Sequence, residues 1–314
     1  MAHTRGTELH QQAPHAESWS RILNTMPMPA KTRFENILLA TDFSPATNAA
    51  LPYAVEIARK SRGTIHAVYV ISPDLYPLEP PSEWPKYDRV EKDFRHRIQQ
   101  ELEQELQGVA HEFIFPMGEV WECLARIIEE KNIDLLVVGT HGRTGVKKAI
   151  LGSVAEKIFR QAACPVLTVG PHVTAKATHV QAPEMNCILY ATDFSPESFA
   201  AVRYAIRLAK EHHAKLILMQ ALDQAEPGQV TSAFETLQDI VPLGAGLLSK
   251  PTCIVERGKP AHSILGVAKR HNADLIVLGV RNADQHVTAA THIARSIAYK
   301  VVIQATCPVL TVRD

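Results

Sequence analysis

The chain has 314 residues, 46% of them hydrophobic and 21% charged, with 33 lysines and arginines against 33 acidic residues. Two domains of ordinary size fit that length, each burying a core without metal or disulfide, and the zero formal charge removes any long-range pull toward nucleic acid or an anionic membrane. Five cysteines, none in a CxxC pair, argue against a disulfide framework and for buried thiols in a reducing compartment.

Residues 1–32 carry scattered histidines and no periodic apolar face, which predicts a flexible leader. They hold no apolar run of signal-peptide type, and no stretch of the chain is long enough to span a bilayer, so the cytoplasm is the expected location. Residues 37–40 then read as a short strand, and FSPATNAALPYAVEIARKSRG as a helix with Ser44 at its N-cap and Pro45 in its first turn. Gly63 is expected to close that helix, and Pro52 inside it to be tolerated as a kink. TIHAVYVI is the next strand, residues 72–89 a proline-rich surface loop, and VEKDFRHRIQQELEQELQG a polar helix. HEFIF, GEVWECLARIIEEKN and DLLVVG follow as strand, helix and strand, and LGSVAEKIFRQA and PVLTV as the closing helix and strand.

The same unit is written twice. NILLATDFSP from Asn36 reappears as NCILYATDFSP from Asn186, IDLLVVG as ADLIVLG, and CPVLTV from Cys164 as CPVLTV from Cys307. Three matches in one order predict two homologous domains, 33–170 and 184–314, joined by a linker over 171–183. Between the second and third strands of the rear unit, residues 225–249 offer only a broken amphipathic stretch. Strands alternating with helices predict an α/β fold: two tandem doubly wound domains, each with a mostly parallel five-stranded sheet flanked by helices.

In such a sheet a ligand lies beyond the carboxyl ends of the strands, where strand order reverses. Thr41 and Asp42 after the first strand, Val70 and Ile71 after the second and the glycine-rich GTHGRTGVKKAILGS after the fourth should meet there. Gly139 and Gly142 permit close backbone approach to phosphate oxygens. Gly152 and Ser153 open a helix whose unpaired N–H groups favour an anion. Ser153 either caps that helix or donates to a phosphate. Arg143, Lys147 and Lys148 add positive charge, or simply face solvent, and His141 contacts a phosphate or packs. Asp42 suits a ribose hydroxyl, an adenine amino group or a divalent ion, with helix capping as the structural alternative. The spacing is neither GxxxxGK[ST] nor GxGxxG.

At these residues the chain resembles the tandem-domain members of the universal stress protein family. The ATP-binding branch of that family carries Gly-x2-Gly-x9-Gly-[Ser/Thr], and Gly139, Gly142, Gly152 and Ser153 fit the spacing in full. The resemblance implies that Asp42 and the backbone at Val70 contact the adenosine part of ATP. It implies further that Gly139, His141, Gly142 and Arg143 line the phosphate loop, while Gly152, Ser153 and Val154 receive the phosphates, with or without Mg2+. Paired last strands, 165–169 and 308–312, would join the domains as an intramolecular pseudo-dimer, and a homodimer is possible in addition.

The rear unit departs from the pattern. Asn282 stands near the place of Gly142, Arg295 at Gly152 and Ser296 at Ser153, in a loop three residues longer. An arginine where the backbone should approach phosphate degrades the second cradle, although Arg281 or Arg295 would suit another anion. Gln220 and Ala221 replace Tyr69 and Val70. Asp284, His286 and His292 raise a metal site against the plainer reading of a surface loop, since the spacing is no recognised zinc pattern. The expected function is an ATP-binding stress-response protein that signals through conformational coupling to the second domain or to an unidentified protein partner. The alternatives are a slow divalent-dependent ATPase or nucleotidyl-transfer enzyme, and a nucleotide-free partner-binding protein. Nucleic acid and membrane are not expected partners.

Overall fold

The computed structural model describes residues 33–71, 84–140, 151–173, 183–242, 244–280 and 296–313. The expected leader and most of the expected linker lie outside them. Ile37, Leu38 and Leu39 are each at most 1% exposed, the burial on both faces that a central parallel strand requires. They form β1 (Asn36–Ala40), followed by α1 (Pro45–Ser61), β2 (Thr64–Val68), α2 (Trp84–Glu105), β3 (Ala110–Ile114), α3 (Val120–Glu130), β4 (Leu135–Gly139), α4 (Ser153–Gln161) and β5 (Val166–Val169). The rear half continues with β6 (Cys187–Thr192), α5 (Pro196–Glu211), β7 (Lys215–Leu222), α6 (Pro227–Ile240), β8 (Thr252–Arg257), α7 (Pro260–Arg270), β9 (Leu275–Gly279), α8 (Ile297–Gln304) and β10 (Val309–Val312).

All ten strands form one sheet in the order β3-β2-β1-β4-β5-β10-β9-β6-β7-β8. Each half is parallel, and the halves meet at the antiparallel pair β5 and β10, where Leu167 lies opposite Leu310. That seam is the expected pairing of last strands. Because side chains alternate across a strand, Ile37 and Leu39 enter one apolar layer while Leu38 enters the other. The first layer is continuous through both halves, and Phe34 of the front half stacks on Tyr204 of the rear at 5.6 Å between ring centroids. The two halves share a core.

Several local expectations need correction. Helix α1 ends at Arg62, which itself takes the left-handed conformation with φ 56°. Gly63 does not supply that turn. It is needed for space, since a Cβ there would stand 2.2 Å from the carbonyl oxygen of Phe34. Ser44 does cap α1, accepting from the Thr47 amide, and the helix runs on through Pro52. Helix α2 begins at Trp84, inside the stretch expected to be loop, because Pro85 falls in the first turn where its missing N–H has no partner to lose. Helix α6 is regular from Pro227 because Glu226 and Gln229 form a reciprocal capping box.

A carboxylate ties β1 to β4 in the front half, where Asp134 is buried, and β6 to β9 in the rear half, where Asp274 is half-buried. Asp134 accepts from the amides of Glu35 and Asn36 at 3.1 and 3.0 Å, and Asp274 accepts from those of Asn186 and Cys187 at 2.9 and 3.1 Å. Cys123, Cys164, Cys187 and Cys307 are buried and outside any disulfide, and burial pushes Cys164 up to about 12. Among the described residues no helix is long and apolar enough to cross a membrane.

His212, at the end of α5, sits buried against Glu56 and Lys60 of α1, and its Nε2 has no hydrogen-bond partner among the described residues. Burial, reinforced by Lys60 and His213, pulls it from 6.5 down to about 4. The unfolded chain therefore takes up this proton first as pH falls. Stability is expected to be full above about pH 6.5 and to drop by on the order of 3 kcal/mol toward pH 4. Urea midpoints across that range should show the drop in the parent and a weaker one in His212→Gln. Equal slopes would reject this assignment.

Candidate functional site

Strand order in the front half reverses between β1 and β4, since the connections from β1 run outward to β2 and β3 while that from β4 runs the other way to β5. Beyond the carboxyl ends of these strands lies a cavity of about 310 Å³. Its apolar wall comes from Val120 and Leu124 of α3, Val138 of β4 and Ile158 of α4. Its polar rim includes Thr41, Asp42, Thr140 and Ser153.

Val70 reaches this cavity through strand geometry. The amides of Tyr69 and Ile71 both bond to the β3 side, to Ile114 at 3.1 Å and to Pro116 at 2.8 Å. Val70 between them faces the β1 side, where the last bond is from Thr41 to the Val68 carbonyl at 3.0 Å and the chain then turns away. The half-buried Val70 thus has its backbone donor and acceptor on the side of the cavity it lines. A planar ligand edge carrying an acceptor beside a donor matches that pair.

The turn after β1 is built by side chains. Thr41 Oγ1 accepts from the Phe43 amide at 3.1 Å, and Asp42 Oδ1 accepts from the Ser44 amide at 3.0 Å and from Thr47 Oγ1 at 3.1 Å. These bonds hold Phe43 at φ 61°. The rear half repeats the device, with Thr192, Asp193 and Ser195 bonded alike and Phe194 at φ 58°. Turn building thus accounts for the repetition of the aspartate. Ser198, the counterpart of Thr47, bonds to Thr192 at 2.9 Å, and Asp193 is exposed.

The opposite rim is the start of α4. Gly152 is its N-cap, at φ −59° and ψ 156°, and no side chain caps the helix. The Gly152 amide is spent on the Thr140 carbonyl at 3.1 Å, which pins the two ends of the glycine-rich segment together. The Ser153 and Val154 amides make no such bond among the described residues. Ser153 is the first helical residue and exposed, so it does not cap the helix, and its hydroxyl remains on the rim. A Cβ at Gly152 would lie 3.5 Å from the Thr140 oxygen, an ordinary contact, so neither sterics nor a positive φ requires glycine here. Glu119 of the α3 cap ties that helix to α4 through Lys157 at 3.0 Å, and the Glu122 amide with Lys157 holds its carboxyl below the usual carboxylate range.

Of the residues expected from the sequence, Asp42, Val70, Gly139, Gly152, Ser153 and Val154 all line the one cavity. His141, Gly142 and Arg143, with Lys147 and Lys148, lie outside the described residues, as do Arg281, Asn282, Asp284, His286, His292 and Arg295. Among the described residues there is no cluster of three or more metal-ligating side chains. Thr41, expected beside Asp42, lines the cavity, whereas Ile71, expected beside Val70, is not among its lining residues; Thr140 and the apolar wall were not among the expected site residues. The wall positions read only as helix or strand core, and nothing in their spacing distinguishes cavity from core.

The rear half closes its corresponding helix differently. Ser296 is the N-cap of α8, and its Oγ accepts from the Tyr299 amide at 3.1 Å. The helix start that would meet an anion is therefore capped by its own side chain. Gln220, in place of Tyr69, buries its Oε1 without a partner among the described residues.

The description "Universal stress protein family" matches residues 33–170 and 185–313. A universal stress protein of Methanocaldococcus jannaschii is 30% identical over 164 residues, covering 47% of this chain and 89% of that protein. One from Mycolicibacterium smegmatis is 24% identical over 301 residues, covering 88% of this chain and 96% of that protein. The crystal structure of a universal stress protein from Archaeoglobus fulgidus superposes with a TM-score of 0.71 at 24% identity, covering 89% of this chain and 98% of that one. The last likeness is one of fold.

Proposed function

The chain belongs to the universal stress protein family, and we propose that its front half binds ATP and presents the bound state to the rear half or to another protein. The observation that carries this reading is the uncapped start of α4, opened by a glycine that the fold does not demand, on the rim of a cavity at the strand-order switch. Free N–H groups at a helix start, reinforced by the helix dipole, suit phosphate oxygens. The apolar wall suits a base, and the Val70 backbone offers the donor and acceptor that adenine's edge complements.

Asp42 is the carboxylate among the described lining residues. With Oδ1 engaged in the turn, its role toward a ligand is to accept from a ribose hydroxyl or to face a Mg2+ ion arriving with the phosphates. Gly139, His141, Gly142 and Arg143 complete the phosphate loop in this reading. The self-capped α8 and the arginine at Gly152's counterpart make the rear half a non-binding partner. Capture of nucleotide, rather than turnover, is the function proposed.

Calorimetric titration with ATP, with and without Mg2+, tests it. Asp42→Asn keeps an oxygen for the turn while removing the charge. It is expected to weaken ATP about tenfold and to change stability by less than about 1 kcal/mol. Failure of the parent protein to bind ATP would reject the proposal, and unaltered affinity in the variant would remove Asp42 from the site.

A further inference from the structure

Helix α4 belongs to the front half by sequence, but one of its faces is held by the rear half. Leu151, Ala155 and Phe159 lie in the same apolar cluster as Tyr299, Val302 and other rear-half residues. At the start of the helix, Tyr299 Oη accepts from the Leu151 amide at 3.4 Å, one residue before Gly152. The Tyr299 ring meets Phe159 edge-on, at 6.3 Å between centroids. At the far end, Arg313 donates to the carbonyls of Phe159 and Ala162 and lies over the Phe159 ring. A cation on the last carbonyls of a helix satisfies orphan acceptors and reinforces the dipole whose positive end faces the cavity.

The device is one-sided. Gly170 occupies the place of Arg313 in the front half, and a Cβ added to it would meet the Val302 and Ala305 carbonyl oxygens of α8 at 2.9 and 3.7 Å. Those two carbonyls are the counterparts of the Phe159 and Ala162 carbonyls, yet they receive a bare backbone instead of a guanidinium. Among the described residues the rear half sets a guanidinium on the end of the front half's helix, and the front half sets none on the end of α8.

We propose that Tyr299 and Arg313 of the rear half are positioning residues for the phosphates of a nucleoside triphosphate bound in the front half. This inference rests on the ATP reading above. The rear half, with its own helix start self-capped, has become the support that fixes α4 in register with the cavity. By linkage, whatever tightens ATP through this brace must in turn be tightened by ATP, so occupancy strengthens the pairing of the two halves.

Tyr299→Phe tests it in the full chain, because it removes one oxygen and keeps the ring on Phe159. ATP is expected to bind about three- to tenfold more weakly, while adenosine, which lacks the phosphates that meet the start of α4, is bound within about twofold of the parent. Amide exchange at residues 153–155 should quicken in the same variant. Arg313→Ala should reproduce the split, and Arg313→Lys should restore part of it. If the parent binds ATP and both Tyr299→Phe and Arg313→Ala match it, the brace is refuted and the nucleotide reading stands. Equal losses for ATP and adenosine would also refute it, as the sign of general loosening. A parent protein that binds neither ligand would sink both readings.

Discussion

Replacing Gly152 by aspartate is expected to weaken ATP at least about a thousandfold while leaving the protein as stable as the parent. The two halves of that outcome follow from the same backbone. Gly152 is an N-cap in an extended conformation that any residue adopts, and a Cβ there makes only an ordinary contact with the Thr140 oxygen. Aspartate is among the preferred N-cap residues, since its carboxylate accepts from the amides one turn in. It would therefore close the helix start much as Ser296 closes α8, and it would place a negative charge where phosphate must come. Calorimetry and urea denaturation on one preparation separate the effects. Retained affinity would remove α4 from the binding site, and a large stability loss would show that the glycine serves the fold.

Leu310→Asp is expected to cost about 4 kcal/mol or more in stability. Leu310 pairs with Leu167 across the antiparallel seam, and the two are 1% and 0% exposed. A carboxylate there has no described cation opposite it and must either lose its charge or part the strands. Because one apolar layer runs through both halves, parting the seam exposes core on each side. Leu248→Asp is the control: that side chain is 63% exposed, and its change should stay within about 0.5 kcal/mol. Equal urea midpoints for the two variants would mean that the halves do not depend on their seam.

Much of this was legible because the signals were short-range. Ser44 and Pro45 announce the start of α1, and the repeated NILLATDFSP and CPVLTV segments give the two halves their matching strands. The spacing from Gly139 to Ser153 led to residues that do share a cavity. What escaped was set by distant partners or by competition between neighbours. Arg62 rather than Gly63 bends out of α1, and the glycine instead leaves room for the Phe34 carbonyl. Asp134 looks like the edge of an apolar strand until β1 lies beside it. Residues 225–249 hid a regular helix, because a capping glutamate and a first-turn proline resemble loop composition. Tyr299 reads as helix core, and its bond to Leu151 spans 148 residues. The dual position of Asp42, turn builder and cavity wall, is likewise invisible to spacing alone.

The unequal ends of α4 and α8 reduce to a count of bound ligand. Calorimetric titration of the full chain with ATP, at protein concentrations well above the dissociation constant, measures it. One ATP per chain, lost in Gly152→Asp, is the expected result. A stoichiometry of two would mean that the rear half binds as well despite its self-capped helix, and no binding at all would mean that the uncapped start of α4 serves something other than a nucleotide.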